Sequence, residues 1–240
     1  MMTETFKNTE TPLISVIGIG EDSKKHIDKI KGWNSPLIST TMLEKEFIDP
    51  EAGTELVILI ITENVDATIL EKNLKQSGSL TIIITTCEIR AMEGSYDSIA
   101  LVSEDKVIDT VKTVAEILTN PPRYICLDLN DLICIMKDSG TFQTFSHTSS
   151  VEKGGMTNIA NHLRENLKGL PSLKTMLVKI TLSDTGKELM KIEDLTILQK
   201  FFSTLPNSIR VLWGLDANEN LASDELAISI IATEPRITEE

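Results

Sequence analysis

The stretch TPLISVIGIGEDSKKHIDKI, residues 11–30, decides the fold of this 240-residue chain. Leu13 to Ile19 form an almost continuous apolar run, which is typical of a strand that is buried on both faces. Gly18 and Gly20 stand at the end of this run, and a polar amphipathic segment follows them. A buried strand, a glycine-containing turn and a helix in this order predict the first unit of a mononucleotide-binding α/β domain.

Three more apolar runs follow in the first half of the chain, at 55–62, 80–86 and 98–103. Helical patterns are found at 22–32, 65–76 and 104–118. Alternation of short strands with helices indicates a parallel sheet between two helix layers. The pattern therefore predicts a Rossmann-like domain over 11–103, after a disordered leader at 1–10, with the first three runs as adjacent parallel strands.

The pattern changes after residue 104. An apolar helical face over 104–118 ends before Pro121 and Pro122, and with the loop that follows it forms a central segment, 104–131. Helices are predicted near 129–138, 156–168 and 193–203, and strands at 177–183, 209–216 and 226–233. This order predicts a smaller α+β domain over 132–240 with a mixed sheet, so that the central helix is a hinge between two subdomains.

The composition narrows the choice of partner. Acidic side chains number 36 against 23 basic ones, for a formal net charge of -13. Such a surface repels phosphate backbones, which makes nucleic acid and anionic membranes poor partners. No apolar stretch approaches the roughly 20 residues of a membrane span, and the N-terminus MMTETFKNTE lacks an apolar signal core. We therefore expect a cytoplasmic protein.

Cysteine and histidine are too scattered to predict a disulfide framework or a metal site. The cysteines are Cys87, Cys126 and Cys134, and the histidines are His26, His147 and His162. Because Cys126 and Cys134 have apolar neighbours in the sequence, we predict that both are core thiols. The histidines lie far apart in the sequence and in different predicted elements, so the chain is expected to hold no metal.

Six strings occur in the same order as similar strings of a known family. They are ISVIGIG (14–20), GTELVILIIT (53–62), SLTIIITT (79–86), DSIALVSEDKVI (97–108), PPRYICLDLNDLICIMKDSG (121–140) and IRVLWGLDANENLASDELAISIIAT (209–233). On these strings the chain resembles FtsZ, the bacterial member of the tubulin superfamily, from about residue 12 to 234. The resemblance implies the FtsZ fold, a GTP site on the first domain and head-to-tail filament contacts.

The resemblance places the GTP phosphates on two loops, and both depart from the family. The first loop of FtsZ is glycine-rich, whereas Gly18 and Gly20 are followed here by Glu21 and Asp22. The second FtsZ loop is also glycine-rich, whereas residues 62–67 read TENVDA. The family's Pro-Asn after the fourth strand is replaced by Ser-Glu at 103–104. Carboxylates repel phosphates, so we expect that GTP binding is lost, that no cofactor is bound, and that Gly18 and Gly20 are a vestigial phosphate loop.

The loop with which FtsZ reaches the nucleotide of the next subunit is better kept. The family motif Asn-x-Asp-x-x-Asp corresponds to Cys126, Asp128 and Asp131, so both aspartates keep their spacing while the asparagine is a cysteine. The resemblance implies that Asp128 and Asp131 act in trans on a neighbour's GTP. The same residues also suit the start of the next helix, as N-cap and first-turn acid. Both interpretations stay open.

Three functions from different classes are compatible with these patterns. The first is a truncated and degenerate FtsZ-like cytoskeletal or cell-division protein that is not an active GTPase and that assembles with itself or modulates a complete FtsZ. The second is a divergent self-assembling GTPase, which would bind GTP. The third is a Rossmann-like dinucleotide enzyme, although Ser23 replaces the third glycine of its motif. The short tail after residue 233 predicts that any membrane-tethered ring would need another partner.

Overall fold

The computed structural model describes residues 12–43, 53–63, 78–89, 96–119, 124–137, 139–151, 154–185 and 192–236. Within them, nine strands form one sheet in the order β2-β1-β3-β4-β5-β6-β9-β7-β8. Every neighbouring pair is parallel except the two pairs that β9 makes with β6 and β7. The chain therefore has the predicted α/β architecture, with a mixed sheet in its second half.

The first half of the sheet is the parallel part. Its strands are β1 (Ile14–Ile19), β2 (Ile38–Met42), β3 (Leu56–Ile61), β4 (Leu80–Thr85) and β5 (Ser98–Leu101). Every residue of β1, β3 and β4 is buried, as expected for strands covered on both faces. These three strands are adjacent and parallel, so the central prediction from the apolar runs is confirmed. We call the edge at which they finish the upper end of the molecule and the opposite edge the lower end.

The second half of the sheet contains β6 (Thr141–Ser150), β7 (Thr175–Ser183), β8 (Arg210–Asn218) and β9 (Glu225–Glu234). β6 runs parallel to β5, and β7 and β8 run the same way, so only β9 points towards the lower end. The sheet continues from one half to the other through the pair of Ile99 and Thr141. The division into two domains at 103 and 132 stays a prediction.

Two strands, β2 and β6, were not predicted from the sequence patterns. β2 reads ISTTM and is half-buried at the edge of the sheet, and β6 reads TFQTFSHTSS, in which hydroxyl side chains predominate. β6 exists because it pairs with β9 along its whole length, so tertiary pairing overrides the low apolar content.

Among the described residues, five helices cover the sheet, and all five lie at predicted positions. They are α1 (Lys24–Lys31), α2 (Val107–Thr119), α3 (Leu129–Met136), α4 (Gly155–Leu167) and α5 (Ile192–Phe202). α2 begins later than predicted, after a 3-10 turn at Glu104–Lys106. A second 3-10 turn, Glu21–Ser23, precedes α1. The predicted leader at 1–10, the helix at 65–76 and the proline pair at 121–122 lie outside the described residues.

The direction of the helices follows from the parallel strands. Each of α1, α2, α4 and α5 comes after the carboxyl end of a strand, so it begins at the upper end and runs towards the lower end. α2 packs in the core of the first half, where Val107, Val111 and Val114 are fully buried. α4 and α5 cover the second half, where Phe201 is buried among apolar side chains.

Candidate functional site

The turn between β1 and α1 is the first part of the site that the sequence predicts. Gly20 has φ +87°, a conformation that side chains other than glycine rarely adopt. At Gly18, an added Cβ would lie 2.7 Å from both the Ile27 Cγ1 and the Met42 Sδ atoms. Both glycines are therefore required by the geometry of the turn, whichever ligand it does or does not hold.

A carboxylate of the chain itself lies over this turn. Glu63 Oε1 accepts a hydrogen bond of 3.0 Å from the backbone N–H of Glu21, at the N-terminus of the 3-10 turn that leads into α1. A Cβ added at Gly20 would lie only 2.1 Å from the same Oε1 atom. The Glu63 carboxylate thus lies directly over Gly20 and binds a backbone N–H at the N-terminus of this turn, which is the kind of group that binds anions.

Ser23 closes the turn from below. Its side chain is fully buried, and Oγ lies 2.7 Å from the carbonyl oxygen of Ile19 and 3.1 Å from that of Ile60. The Thr62 hydroxyl is a further partner at 3.0 Å. Ser23 therefore links the ends of β1 and β3 at the position where a dinucleotide-binding turn has its third glycine.

A charged cluster joins α1 to the start of α2. Glu104 Oε1 lies 2.5 Å from His26 Nε2 and 2.7 Å from Lys25 Nζ. The hydrogen bond from Lys25, followed by that from His26, holds the pKa of the Glu104 carboxyl below its usual range, and Glu104 in turn raises the pKa of Lys25. His26 is almost fully buried, and its Nδ1 has no hydrogen-bond partner among the described residues.

Asp128 and Asp131 meet in a reciprocal cap at the lower end. Asp128 is the N-cap of α3, and its Oδ1 accepts from the N–H groups of Asn130 at 2.8 Å and of Asp131 at 3.1 Å. Asp131 Oδ2 accepts from the N–H of Asp128 at 3.1 Å. This is the capping box, so the predicted capping role of Asp128 is confirmed. Asp128 is exposed and Asp131 half-buried, and their action on a neighbouring subunit stays a prediction.

The chain just before this cap is attached to the outer edge of β8. Ile125 and Leu215 exchange two backbone hydrogen bonds, of 3.0 and 3.1 Å. Gly214 allows the close approach, because an added Cβ would lie 2.6 Å from Leu127 Cγ. The α2 helix separates this loop from the glycine turn by about 20 Å, given 1.5 Å of rise per residue. The two predicted sites therefore lie at opposite ends of the molecule.

One prediction about side chains is wrong, because Cys126 and Cys134 are exposed rather than buried in the core. His147 on β6 and His162 on α4 are far apart in the sequence, but the fold brings their rings together, stacked with centroids 4.3 Å apart. Burial, and then the neighbouring His147, lower the pKa of His162. Among the residues that the structure covers, no group of three or more potential metal ligands is found.

Comparison with curated proteins finds a partial match to FtsZ. No family model matches the chain. The cell division protein FtsZ 1 of Thermococcus kodakarensis is 28% identical over 122 residues. This match covers 50% of the chain and 31% of that protein, so the chain spans only about a third of the length of the curated relative it matches.

Solved structures match over almost the whole chain. An empty FtsZ dimer of M. jannaschii gives a TM-score of 0.65 at 15% identity and covers 98% of this chain and 95% of that one. TubZ of Bacillus thuringiensis serovar israelensis, in GDP-form protofilaments, gives 0.66 at 9% identity and covers 93% and 85%. The fold is therefore the one shared by FtsZ and TubZ. The resemblance to FtsZ that the sequence predicts is confirmed by this fold and by the match to half of the chain.

Proposed function

We propose that this chain is an FtsZ/tubulin-like cytoskeletal or cell-division-related subunit that has lost GTP binding and hydrolysis. It acts by assembling with itself or by modulating a filament partner such as a complete FtsZ. It works in the cytoplasm and does not contact nucleic acid or membrane directly. Among the described residues, no helix is long and apolar enough to span a bilayer.

The contact between Glu63 and Glu21 carries this proposal. A phosphate would have to displace the Glu63 carboxylate from the Glu21 N–H, or lie beside a like charge. Two unit charges about 4 Å apart repel by about 1 kcal/mol in water and by several times more where solvent is partly excluded. Glu21 and Asp22 are exposed at the same end and add to the repulsion. In this chain, both loops that correspond to the FtsZ phosphate loops thus have an acid where the family has glycine.

The experiment is a titration of the chain with GTP and Mg²⁺ by calorimetry, together with phosphate release and pelleting. We expect no saturable binding and no turnover in the wild-type chain. Glu63→Gln keeps a hydrogen-bond acceptor without the charge, and Glu63→Ala removes the group altogether. Weak GTP binding that appears in Glu63→Ala but not in Glu63→Gln would show that the size of the side chain at position 63, rather than its charge, blocks the turn.

A divergent self-assembling GTPase is the second candidate, and the backbone of the turn favours it. Gly20 keeps its positive φ, and the turn still leads into a helix N-terminus, which is the arrangement that binds anions in nucleotide sites. Steady phosphate release by the wild-type chain, or pelleting that depends on GTP, would establish this candidate and overturn the first.

A further inference from the structure

His147 on β6 and His162 on α4 form a contact that the proposed function does not use. Their rings stack with centroids 4.3 Å apart and an angle of 19° between the ring planes, and both residues are half-buried. No ring nitrogen of either histidine has a hydrogen-bond partner among the described residues. Polar groups that are shielded from water normally have partners, so the pair offers unused lone pairs to a ligand from solution.

The two histidines are held in register by the packing around them. His147 lies between Phe145 and Ser149 on the face of β6 that α4 covers, because alternate residues of a strand share a face. Phe145 packs against the apolar core of the second half, and Ser149 Oγ accepts a 3.3 Å hydrogen bond from Asn158 Nδ2. Asn158 precedes His162 by about one helical turn. The fold therefore brings the two rings together before any ligand binds.

Two neutral imidazoles at this spacing suit one divalent transition-metal ion. Neutral imidazole is the commonest metal ligand in proteins, and it suits Zn²⁺, Cu²⁺ and Ni²⁺. Two nitrogens bound to the same tetrahedral Zn²⁺, each about 2.0–2.1 Å from it, lie about 3.3 Å from each other. A separation of 4.3 Å between the ring centroids is compatible with this distance once the rings turn so that one nitrogen of each faces the ion.

We propose that His147 and His162 together bind one divalent transition-metal ion, such as Zn²⁺, and that water completes its coordination. The protein supplies only two ligands, in keeping with the finding that the described residues include no group of three or more. The proposal departs from the expectation, based on the scatter of histidines along the sequence, that the chain holds no metal. It does not depend on the loss of GTP binding, because the pair lies in the second half of the sheet and the glycine turn in the first.

A bound ion links α4 to β6. β6 contains few apolar residues and depends on its pairing with β9, so a further attachment at this strand stabilises the second half of the sheet. The unfolded chain does not hold the two rings together, and a ligand that binds only the folded chain raises its stability. Zn²⁺ should therefore raise the melting temperature to a plateau as its concentration increases.

The first test is a calorimetric titration of the metal-free full chain with ZnCl₂ at neutral pH, with melting temperatures measured in parallel. His147→Asn and His162→Asn should each weaken Zn²⁺ binding at least about tenfold. The double variant should lose little more than either single variant, because one imidazole alone cannot chelate the ion. A wild-type chain that shows no saturable Zn²⁺ binding, or binding that survives in both single variants, would overturn the proposal.

Two control variants distinguish this site from other Zn²⁺ ligands of the chain. Asn161→Ala changes the residue next to His162, whose side chain pairs with Arg164 instead, and should leave the affinity within about twofold of the wild type. Cys126→Ser with Cys134→Ser removes two exposed thiols and should also leave it unchanged. Loss of Zn²⁺ binding in the cysteine variant would place the ion on the thiols and refute the histidine site.

The NMR signals of the imidazole rings give a second readout, which needs no variant. The chain has three histidines, and His26 is an internal control because it is buried with Nε2 against Glu104. Zn²⁺ should shift the ring signals of His147 and His162 together, at the same concentrations, and leave those of His26 in place. A shift of only one ring of the pair, or of His26 alone, would exclude the proposed site.

Discussion

Lys179 Nζ lies 3.1 Å from Asp216 Oδ2, and both side chains are more than nine-tenths buried. Lys179 stands on β7 and Asp216 on β8, while Nζ also donates a 2.9 Å hydrogen bond to the carbonyl oxygen of Glu116 near the end of α2. One ammonium group therefore joins the central helix to the sheet of the second half.

Removing one partner of this ion pair should destabilise the fold strongly. Lys179→Met leaves the Asp216 carboxylate buried without its cation, and we expect a loss of about 3–5 kcal/mol in the free energy of unfolding. Urea denaturation measures it. The double variant Lys179→Met with Asp216→Asn should lose less than the single variant, because the buried charge is gone. A double variant that is less stable than Lys179→Met would show that Asp216 stabilises the fold through contacts other than Lys179, such as the N–H of Ala217, and would contradict the explanation by an unpaired buried charge.

The capping box makes separate predictions for stability and for action on a partner. Asp128→Ala removes the acceptor for two N–H groups and should cost about 1 kcal/mol, read as a lower melting temperature. If Asp128 and Asp131 also act in trans, the paired alanine variant should abolish an effect on the GTPase rate of a complete FtsZ while leaving binding intact. Asn130→Ala is the control, because only the backbone N–H of Asn130 takes part in the cap.

The stacked histidines predict how stability depends on pH. The pKa of His162 in the folded chain is lower than 6.5, its ordinary value, because of burial and then of His147. The unfolded chain therefore binds a proton at His162 more readily than the folded chain does. The stability that the neutral His162 contributes is fully present above about pH 6.5 and is lost as the pH falls through the pKa of the folded chain. Melting temperatures from about pH 7.5 to about pH 5 should show the decline. His162→Asn should flatten it, and an unchanged slope would contradict the assignment.

A methyl group at Gly20 should be costly for two separable reasons. Gly20→Ala must adopt φ +87° with ψ 154°, an extended region that is essentially restricted to glycine, at roughly 1–3 kcal/mol, and its Cβ would collide with the Glu63 carboxylate. Chemical denaturation should therefore show a larger loss than the conformational cost alone. In a Glu63→Ala background the collision is absent, so the loss should shrink to that cost. Equal losses in both backgrounds would mean that Glu63 does not occupy the space above Gly20.

Much of the fold could be predicted because burial on both faces leaves a direct mark on the sequence. β1, β3 and β4 consist of almost uninterrupted Ile, Leu and Val, and their short length and β-branched composition favour strands over buried helices. β6 gives no such mark, since its stability comes from β9, a strand that lies far along the chain. A strand that depends on its partner cannot be recognised from its own residues.

Side-chain contacts in the candidate site also depend on residues that are distant in the sequence, so they could not be predicted from it. Glu63 and Glu21 were both visible as acids in place of glycine, but their hydrogen bond joins residues 42 positions apart and depends on the packing of β1 beside β3. Cys134 illustrates a simpler error. Apolar neighbours surround it in the sequence, yet at 100° per residue it projects from the face of α3 opposite to Leu132 and Ile135, which are buried.

The seam between the two halves of the sheet has a mechanical consequence. β5 and β6 are paired at Ile99 and Thr141 alone among the described residues, with a bond between the Ser98 and Ser139 hydroxyls beside them. Few backbone hydrogen bonds thus cross the seam, and the two halves are held together there mainly by side chains: Phe142, Leu177 and Ile231 of the second half pack in the same apolar core as β1 and β3. A force that bends the sheet at this seam would be resisted by that apolar packing rather than by a hydrogen-bonded ladder.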